Sequence, residues 1–187
     1  MADNELKKIT ELFFEIGSLR RLQRSHIQNL GKTEDSVLDH SYRAAMMGYV
    51  IAKMEGLDAD KVLKMCLWHD LAESRTGDRN WVHKKFVKVD ETKASRAQFS
   101  GTPIAKEVLT LLKEFEARKT PESKLAKDVD YLEEVFQLKE YADQGNKEAE
   151  RWLRSPYNIG AIKNKTAKQI ISMMLKSDVH DWWWRKW

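Results

Sequence analysis

The sequence is poor in the two residues that most often make turns. Its 187 residues include only 8 glycines and 3 prolines. A barrel or sandwich of many short strands needs such residues at frequent turns, so the composition argues against those folds. It predicts a mostly helical protein instead. The length suits one domain with a substantial core, and we expect a single domain over residues 1–187.

Long apolar runs, cysteines and a strong charge excess are also missing. The most apolar stretch, residues 44–52, is much shorter than the roughly 20 residues that span a bilayer. Residues 1–17 contain no apolar core of a secretory signal. The single cysteine, Cys66, excludes an internal disulfide and fits a reducing compartment. A net charge of +4 is too small to indicate a nucleic-acid surface. We therefore expect a cytoplasmic protein with neither a membrane nor a nucleic-acid partner.

Apolar residues spaced by three and four positions predict a series of amphipathic helices. The first spans about residues 4–22, and a second begins at Ser36, whose side chain we expect to cap it. The apolar face of the first helix comprises Ile9, Leu12, Phe13, Ile16 and Leu19. The stripe of the second helix comprises Val37, Ala44, Met47, Ile51 and Met54. No segment has a convincing strand pattern.

Other helix starts carry recognisable capping residues. Asp58 is placed to cap the next helix, and Thr120 with Pro121 forms an N-cap followed by a first-turn proline. The helix that follows, about residues 122–143, is apolar on much of its circumference, which is typical of a central helix. Residues 75–89 are less regular and indicate a loop.

Two of the five histidines, His40 and His69, lie on the buried stripes of their helices. Asp70 follows His69 directly, and a buried carboxylate is costly unless it is paired or bound to a metal. Imidazole with carboxylate is a common ligand set for divalent transition metals, so the pattern indicates a buried metal site. The alternative is that each histidine is hydrogen-bonded in the core. Spacing alone does not choose a fourth ligand between Asp128 and Asp130, and the apolar stripe fits Asp128 at least as well.

Three segments, in this order, resemble the signature of the HD-domain metal-dependent phosphohydrolases. They are residues 36–43 (SVLDHSYR), 67–73 (LWHDLAE) and 127–133 (KDVDYLE). The His-Asp-x-x-Glu sequence, the Thr-Gly-Asp at 76–78 and the arginine-containing segment upstream resemble, more narrowly, the 5'-deoxynucleotidase-like branch of that superfamily. The likeness covers about residues 8–142. We expect residues 146–187 to form C-terminal helices that pack on the domain or on a partner.

The resemblance implies an all-α fold, an HD-domain helical bundle with a single metal site in its core. The ligands that it implies are His40, His69, Asp70 and Asp130, so it selects Asp130 over Asp128. Two imidazoles and two carboxylates leave coordination positions open for water and a phosphate oxygen. The cofactor is then a divalent cation, and the ligand set accepts Mn, Co, Mg, Fe or Zn.

The resemblance also implies that Glu73 is catalytic together with Asp70. Glu73 lies about one turn beyond Asp70 and matches a family glutamate that handles protons during the reaction. The alternative is a solvated carboxylate that pairs with Arg75 or a helix end.

Two more residues match positions that contact the substrate. Asp78 matches a position near the sugar, although a turn residue after a glycine would explain it equally. Arg24 matches an arginine that binds the phosphate, for which a guanidinium fork is well suited. Arg20 and Arg21 compete with Arg24 for this assignment.

The activity implied is that of a phosphoric monoester hydrolase, which converts (deoxy)nucleoside 5'-monophosphates to nucleoside and phosphate. Relatives usually carry a tryptophan shortly after the phosphate-binding arginine, whereas this chain has Ser25, His26 and Ile27 there. The departure weakens the expectation of deoxyribose over ribose. One alternative is hydrolysis of a nucleoside triphosphate or another phosphorylated metabolite. A second, from another class, is a non-catalytic module that binds a partner through a tryptophan-rich tail.

That tail holds four of the seven tryptophans within the last six residues. They are Trp182, Trp183, Trp184 and Trp187. The indoles could pack on the bundle, form a dimer contact or lie exposed, and aromatic residues are enriched at interfaces. With Arg185 and Lys186 they could also stack single-stranded bases, but two cations are few for that task. We favour packing or assembly, and the family likeness favours a homodimer.

Overall fold

The computed structural model describes residues 3–31 and 34–184. Within them the regular elements are all helices, which confirms the predicted fold class. In chain order these are α1 (Asp3–Ser18), η1 (Leu19–Arg21), η2 (Ser25–Asn29), α2 (Val37–Glu55), α3 (Ala59–Trp68), α4 (Glu73–Thr76), α5 (His83–Phe86), α6 (Glu91–Phe99), α7 (Ala105–Ala117), α8 (Pro121–Asp143), α9 (Lys147–Leu153), α10 (Pro156–Ile159) and α11 (Lys165–Met174), where η marks a 3-10 helix. In this part of the chain, strand-like pairing is limited to one isolated bridge between Gln23 and Ser36.

The predicted caps are present and set where the main helices begin. The Ser36 hydroxyl accepts a hydrogen bond from the backbone N–H of Asp39 at 3.1 Å. The Asp58 carboxylate caps α3 in the same way. At the start of α8, Thr120 and Ser123 accept hydrogen bonds from each other's backbone N–H groups. Each cap provides an acceptor for an N–H group that has no partner inside its helix, so local chemistry fixes these boundaries.

Helix α8 is the central helix of the bundle, as its apolar circumference predicts. Its side chains of Leu125, Val129, Leu132, Val135 and Leu138 are almost completely buried. Helices α2 and α3 pack against each other and against α8. The approach of α2 to α3 depends on the absence of a side chain at Gly48, since an added Cβ would lie only 2.9 Å from Cγ1 of Val62. This three-helix contact carries the candidate site.

The first helix is shorter, and its buried face narrower, than the sequence predicts. Helix α1 ends at Ser18 and continues as a 3-10 turn, whereas a continuous helix to about residue 22 was expected. Leu12 and Leu19 are buried in a second apolar cluster with α6 and α7, but Phe13 is 66% exposed. Phe13 lies about 100° around the helix from Leu12, and this rotation takes it outside the buried stripe.

Met54, predicted on the buried stripe of α2, is 64% exposed. It lies in the last turn of the helix, where residues 53–55 are all exposed, because α2 extends past the apolar core there. The segment after α11 also carries exposed aromatic rings. Trp182, Trp183 and Trp184 are 72%, 38% and 57% exposed. Trp187, Arg185 and Lys186 lie outside the described residues. Across the described ranges, no helix has the length and apolar character needed to cross a membrane.

Candidate active site

Three helices bring two imidazoles and two carboxylates to one point. His40 projects from α2, His69 and Asp70 follow the end of α3, and Asp130 lies on α8. Nε2 of His40 is 3.2 Å from Oδ1 of Asp130, and Nε2 of His69 is 3.2 Å from Oδ2 of Asp70. The two Nε2 atoms are 3.4 Å apart. Nε2 of His40 is 3.6 Å from Oδ2 of Asp70, and Nε2 of His69 is 3.6 Å from Oδ1 of Asp130. Four side chains of types that can bind a metal therefore meet in a small volume.

The other ring nitrogen of each histidine has an acceptor that fixes its orientation. Nδ1 of His40 donates to Oε2 of Glu133, and Nδ1 of His69 donates to the carbonyl oxygen of Cys66 at 2.9 Å. With a proton on Nδ1, each Nε2 presents its lone pair to the point of convergence. A hydrogen bond of this kind orients the ring of a metal-binding histidine and raises its basicity.

The donor set fits a divalent cation. Atoms that share one metal with bonds of about 2.1 Å lie about 3.0 to 3.4 Å apart, close to the separations seen here. His40, His69 and Asp130 each offer an atom within 4.8 Å of the others. Without a cation, the two ionised carboxylates would need protons on the histidines to balance their charge. A bound divalent ion supplies the positive charge that this arrangement needs.

The pKa values of the same four side chains are shifted by burial and by the charges of their neighbours. Burial lowers the pKa of His40 and of His69, but the neighbouring carboxylates outweigh it and raise both pKa values. Burial raises the pKa of Asp70 and of Asp130, yet nearby cationic groups hold both well below the usual range. For Asp70 the strongest of these is His69, and for Asp130 it is Lys127. Both carboxylates are therefore ionised and able to bind a cation.

Asp128, the competing aspartate on α8, lies away from this point. Its Oδ2 accepts hydrogen bonds from the backbone N–H groups of Lys163 and Asn164, just before α11. The side chain of Asn164 in turn caps α11. Asp128 thus fastens the C-terminal helix to α8, and of the two aspartates only Asp130 faces the histidines.

Arg24 is buried beside the four converging side chains. Its NH1 atom is 3.2 Å from Oδ2 of Asp70 and 3.8 Å from Oδ2 of Asp78. Its buried Nε has no hydrogen-bond partner among the described residues. Arg20 and Arg21, the competing arginines, are exposed. Arg24 therefore offers a charged donor, with hydrogen-bonding capacity left over, next to the candidate metal ligands.

Asp78 has a clear local role. Its Oδ2 accepts a hydrogen bond from the backbone N–H of Ser25 at 2.7 Å, and this bond ties the turn after α4 to the start of η2. Together with its proximity to Arg24, this contact holds the arginine against the site. Asp78 also lines the cavity that opens beside Arg24.

Glu73, at the start of α4, is buried and close to the same centre. Burial raises its pKa to about 9, and the negative charges of Asp70 and Asp78 act in the same direction. The Oε2 atom of Glu73 is buried and lacks a hydrogen-bond partner in the described structure. A carboxyl group with this pKa carries a proton at neutral pH and can donate it. The solvated ion pair with Arg75 does not form, because Arg75 binds Glu15 instead.

Two of the cavities that open onto this group of residues are large enough to hold a small ligand. One, of about 670 Å³, opens over His69, Asp70 and Glu73, and its wall includes several basic side chains. These are Arg79, Lys84, Lys88, Arg118 and Lys127. The second, of about 560 Å³, extends from Arg24 and Asp78 toward aromatic residues. Both volumes lie in the range of small-molecule pockets, and the basic wall suits an anionic ligand.

Sequence reasoning missed the residues that support the ligands. Glu133 holds His40, and its Oε1 accepts a hydrogen bond from Nε of Arg43 at 2.7 Å. Lys127 lies 2.6 Å from Oδ2 of Asp130. The signal was available, since each of these residues lies three positions from a candidate ligand on the same helix. Residues three apart share a helix face, so a charged residue at that spacing from a ligand is a candidate support.

The model of the HD domain family matches residues 16–171 of the chain. The protein therefore belongs to the HD domain family. Its helical bundle and the histidine–aspartate cluster at the centre agree with that membership.

Several individual proteins are similar to this chain over most of its length. The chain is 37% identical over 147 residues to the 5'-deoxynucleotidase HDDC2 of Dictyostelium discoideum, which covers 71% of this chain and 77% of the relative. It is 30% identical over 157 residues to the 5'-deoxynucleotidase HDDC2 of Bos taurus, covering 79% and 74%. Among solved structures, the PH0347 protein from Pyrococcus horikoshii OT3 superimposes with a TM-score of 0.72 at 26% identity, covering 89% of this chain and 98% of that one.

Proposed function

We propose that this protein is a metal-dependent phosphomonoesterase that hydrolyses (deoxy)nucleoside 5'-monophosphates to nucleoside and phosphate. The observation that carries the proposal is the meeting of His40, His69, Asp70 and Asp130 beside a buried arginine and a buried glutamate. The similarity to proteins described as 5'-deoxynucleotidases supports the substrate class.

His40, His69, Asp70 and Asp130 would hold the divalent cation. When bound, the cation polarises the phosphoryl group and lowers the pKa of water near it. The ligand set is compatible with Mn, Co, Mg, Fe or Zn, so availability decides which ion occupies the site. Glu133 and the Cys66 carbonyl keep the two imidazoles in the tautomer that binds a cation.

Three other residues complete the proposed machinery. The guanidinium of Arg24 binds the phosphate and fixes it beside the ligands. Glu73 donates the proton that the leaving 5' oxygen needs, since its raised pKa keeps it protonated at neutral pH. Asp78 lies next to Arg24 on the cavity wall, where its carboxylate can accept a hydrogen bond from a sugar hydroxyl.

A metal-dependent phosphatase screen tests the proposal. Purified protein is incubated with a panel of deoxy- and ribonucleotides and Mn²⁺ or Co²⁺, and the products are identified. We expect orthophosphate from 5'-monophosphates, its loss with EDTA and its loss in Asp70→Ala. Full activity of Asp70→Ala would contradict the ligand assignment. Release of pyrophosphate or tripolyphosphate would instead identify a nucleoside triphosphate as the substrate.

We also propose that the protein is a homodimer through an apolar face of α2, α8 and α11. Met46 and Val50 on α2 and Met173 on α11 are about half exposed or more, and they line adjoining grooves with Phe136 and Ile170. Exposed apolar patches of this kind mark interaction sites. We expect a dimer by sedimentation velocity and a monomer for Val50→Glu. Val87→Glu, at a similarly exposed valine elsewhere, should stay dimeric, and a monomeric wild type would refute the dimer.

For the compartment we propose the cytoplasm. The support is Cys66, the single cysteine of the sequence, which is a buried free thiol. Fractionation of cells that express the tagged protein should recover it with cytoplasmic markers. Recovery with membranes or in the medium would refute this assignment.

A further inference from the structure

The cavity beside Arg24 ends at two tryptophans from distant parts of the chain. Trp81 lies in the turn before α5, and Trp152 lies on α9. Their ring centroids are 5.2 Å apart with an interplanar angle of 66°, and both line the cavity of about 560 Å³. Arg24 and Asp78 line the same cavity at the end nearest the candidate metal ligands. The wall of one cavity therefore includes both a buried arginine beside the candidate metal ligands and a pair of aromatic rings.

The two rings are held in position by their neighbours. The buried side chain of Asn80, next to Trp81, accepts hydrogen bonds at 3.0 Å from the backbone N–H groups of Val82 and His83. The carbonyl oxygen of Trp152 accepts a hydrogen bond from the side chain of Asn158 at 2.9 Å. Trp81 nevertheless stays 51% exposed. An aromatic surface that is fixed in place but still open can receive a planar ligand at little conformational cost.

We propose that Trp81 and Trp152 form a stacking site for the nucleobase of the substrate. The inference rests on the proposed nucleotidase function and adds the residues that bind the base. A 5'-nucleotide consists of a phosphate, a sugar and a base, and the cavity wall holds a group suited to each of them: Arg24, Asp78 and the tryptophan pair. Stacking on an aromatic face tolerates any base, so this site favours nucleotides as a class over other phosphate esters.

Kinetics with one substrate that carries a nucleobase and one that does not test the proposal. Trp81→Ala and Trp152→Ala are assayed with dAMP and with 2-deoxyribose 5-phosphate, which has the same phosphate and sugar but no base. We expect KM for dAMP to rise about fivefold or more in each variant, given the usual strength of base stacking. KM for 2-deoxyribose 5-phosphate should stay unchanged. An equal loss for both compounds would overturn the proposal, because it would mean that the tryptophans only support the fold.

Trp184→Ala is the matched control. Trp184 is 57% exposed and also contacts a second tryptophan edge to face, at 5.3 Å, but it lies outside this cavity. Its replacement should leave KM for dAMP unchanged. Trp81→Leu keeps an apolar side chain but has no aromatic face, so its base binding should also weaken. It remains a valid test if Trp81→Ala disturbs the turn. Normal KM for dAMP in Trp81→Leu and Trp152→Ala would overturn the proposal.

Binding of a nucleoside separates this inference from the proposed function. Deoxyadenosine is titrated into wild type and variants by calorimetry, a measurement that requires no catalysis. Binding by wild type that weakens about fivefold or more in Trp81→Ala supports the stacking site even if wild type hydrolyses no nucleotide. In that case the nucleotidase proposal fails and the base site stands. Equal binding by wild type and Trp81→Ala, or no binding by wild type, overturns the stacking site.

Discussion

The carboxylate of Glu133 accepts a hydrogen bond from Nδ1 of His40, on the side of the ring opposite to the Nε2 that faces Asp130 at 3.2 Å. One glutamate thus sets both the tautomer and the direction of a candidate metal ligand. The pKa of Glu133 is lowered to about 2, since hydrogen bonding to His40 and the charges of His40 and Arg43 outweigh its burial. It therefore stays ionised and makes the imidazole a stronger base.

Removal of Glu133 should weaken metal binding without touching a ligand. We expect Glu133→Ala to lower the affinity for Mn²⁺ or Zn²⁺ by about 10- to 100-fold, measured by competition with a chelator. Glu133→Gln can still accept a hydrogen bond from His40, so its metal affinity should fall less. It also serves as the test variant if Glu133→Ala misfolds. Glu140→Gln is the control, since Glu140 shares Arg43 but does not contact His40. Equal affinities in all four proteins would show that Glu133 does not tune the site.

Replacement of Glu73 should separate catalysis from metal binding. Glu73→Gln keeps the shape of the side chain but removes the proton that we assign to the leaving oxygen, so kcat should fall by about 10² to 10⁴. Affinity for the cation and the melting temperature should hardly change, because Glu73 is not one of the proposed ligands. Glu116→Gln, an exposed glutamate at the mouth of the same cavity, should retain wild-type kcat. A Glu73→Gln variant with normal kcat would remove Glu73 from the mechanism.

The sequence predicts best what depends on neighbours along the chain. Ser36, Asp58 and Thr120 cap helices as predicted, because a cap and its target lie within three residues of each other. The meeting of His40 with His69 was also predictable, because both lie on buried stripes of helices that share one core. Spacing could not rank Asp128 against Asp130, since both are largely buried on α8 and only the packing of α11 gives Asp128 its partners.

The spacing of residues along the sequence could not predict contacts between distant segments. Trp81 and Trp152 are 71 residues apart, and nothing local indicates that the turn before α5 meets α9. The burial of Arg24, rather than Arg20 or Arg21, depends on the break of α1 into a 3-10 turn at Leu19. Such a break follows from tertiary packing and leaves no periodic signal.

Glu15 should contribute stability that depends on pH. It accepts hydrogen bonds from Ser74, Arg75 and Gln98, so it joins α1 to the helix of Glu73 and to α6. Burial raises the pKa of Glu15, but these hydrogen bonds outweigh it and leave the pKa below the ordinary 4.5. A carboxylate with a lowered pKa stabilises the fold above its unfolded pKa, and the contribution is lost as the pH falls through the folded value.

We therefore expect Glu15→Gln to lower the melting temperature at pH 7, and the difference from wild type to shrink as the pH falls below about 4.5. Thermal melts of the chelator-treated proteins between pH 3.5 and 7 would measure it. Glu11→Gln, on the same helix but in a surface ion pair with Lys8, should change little at any pH. A Glu15→Gln deficit that stays constant down to the lowest pH would show that the carboxylate charge is not the cause.

A pair of glycine substitutions tests the packing of α2 on α3. Both Gly17 and Gly48 lie inside helices, where alanine is normally favoured by about 0.5 to 1 kcal/mol. A Cβ at Gly48 would lie 2.9 Å from Cγ1 of Val62 and 3.2 Å from Sγ of Cys66, whereas at Gly17 the nearest atom would be 3.6 Å away on the flexible Arg20. Gly48→Ala should therefore cost about 1 to 3 kcal/mol through overpacking, and Gly17→Ala should be neutral or stabilising.

Urea unfolding of the two variants gives the free energies directly. Because Val62 and Cys66 lie on the helix that ends beside His69, a displaced α3 should also shift one imidazole relative to the other. Gly48→Ala should then bind Mn²⁺ more weakly than wild type even where it is fully folded, and Gly17→Ala should bind it equally well. If Gly48→Ala matches Gly17→Ala in both stability and metal affinity, the close approach of α2 and α3 is not what positions His40 against His69.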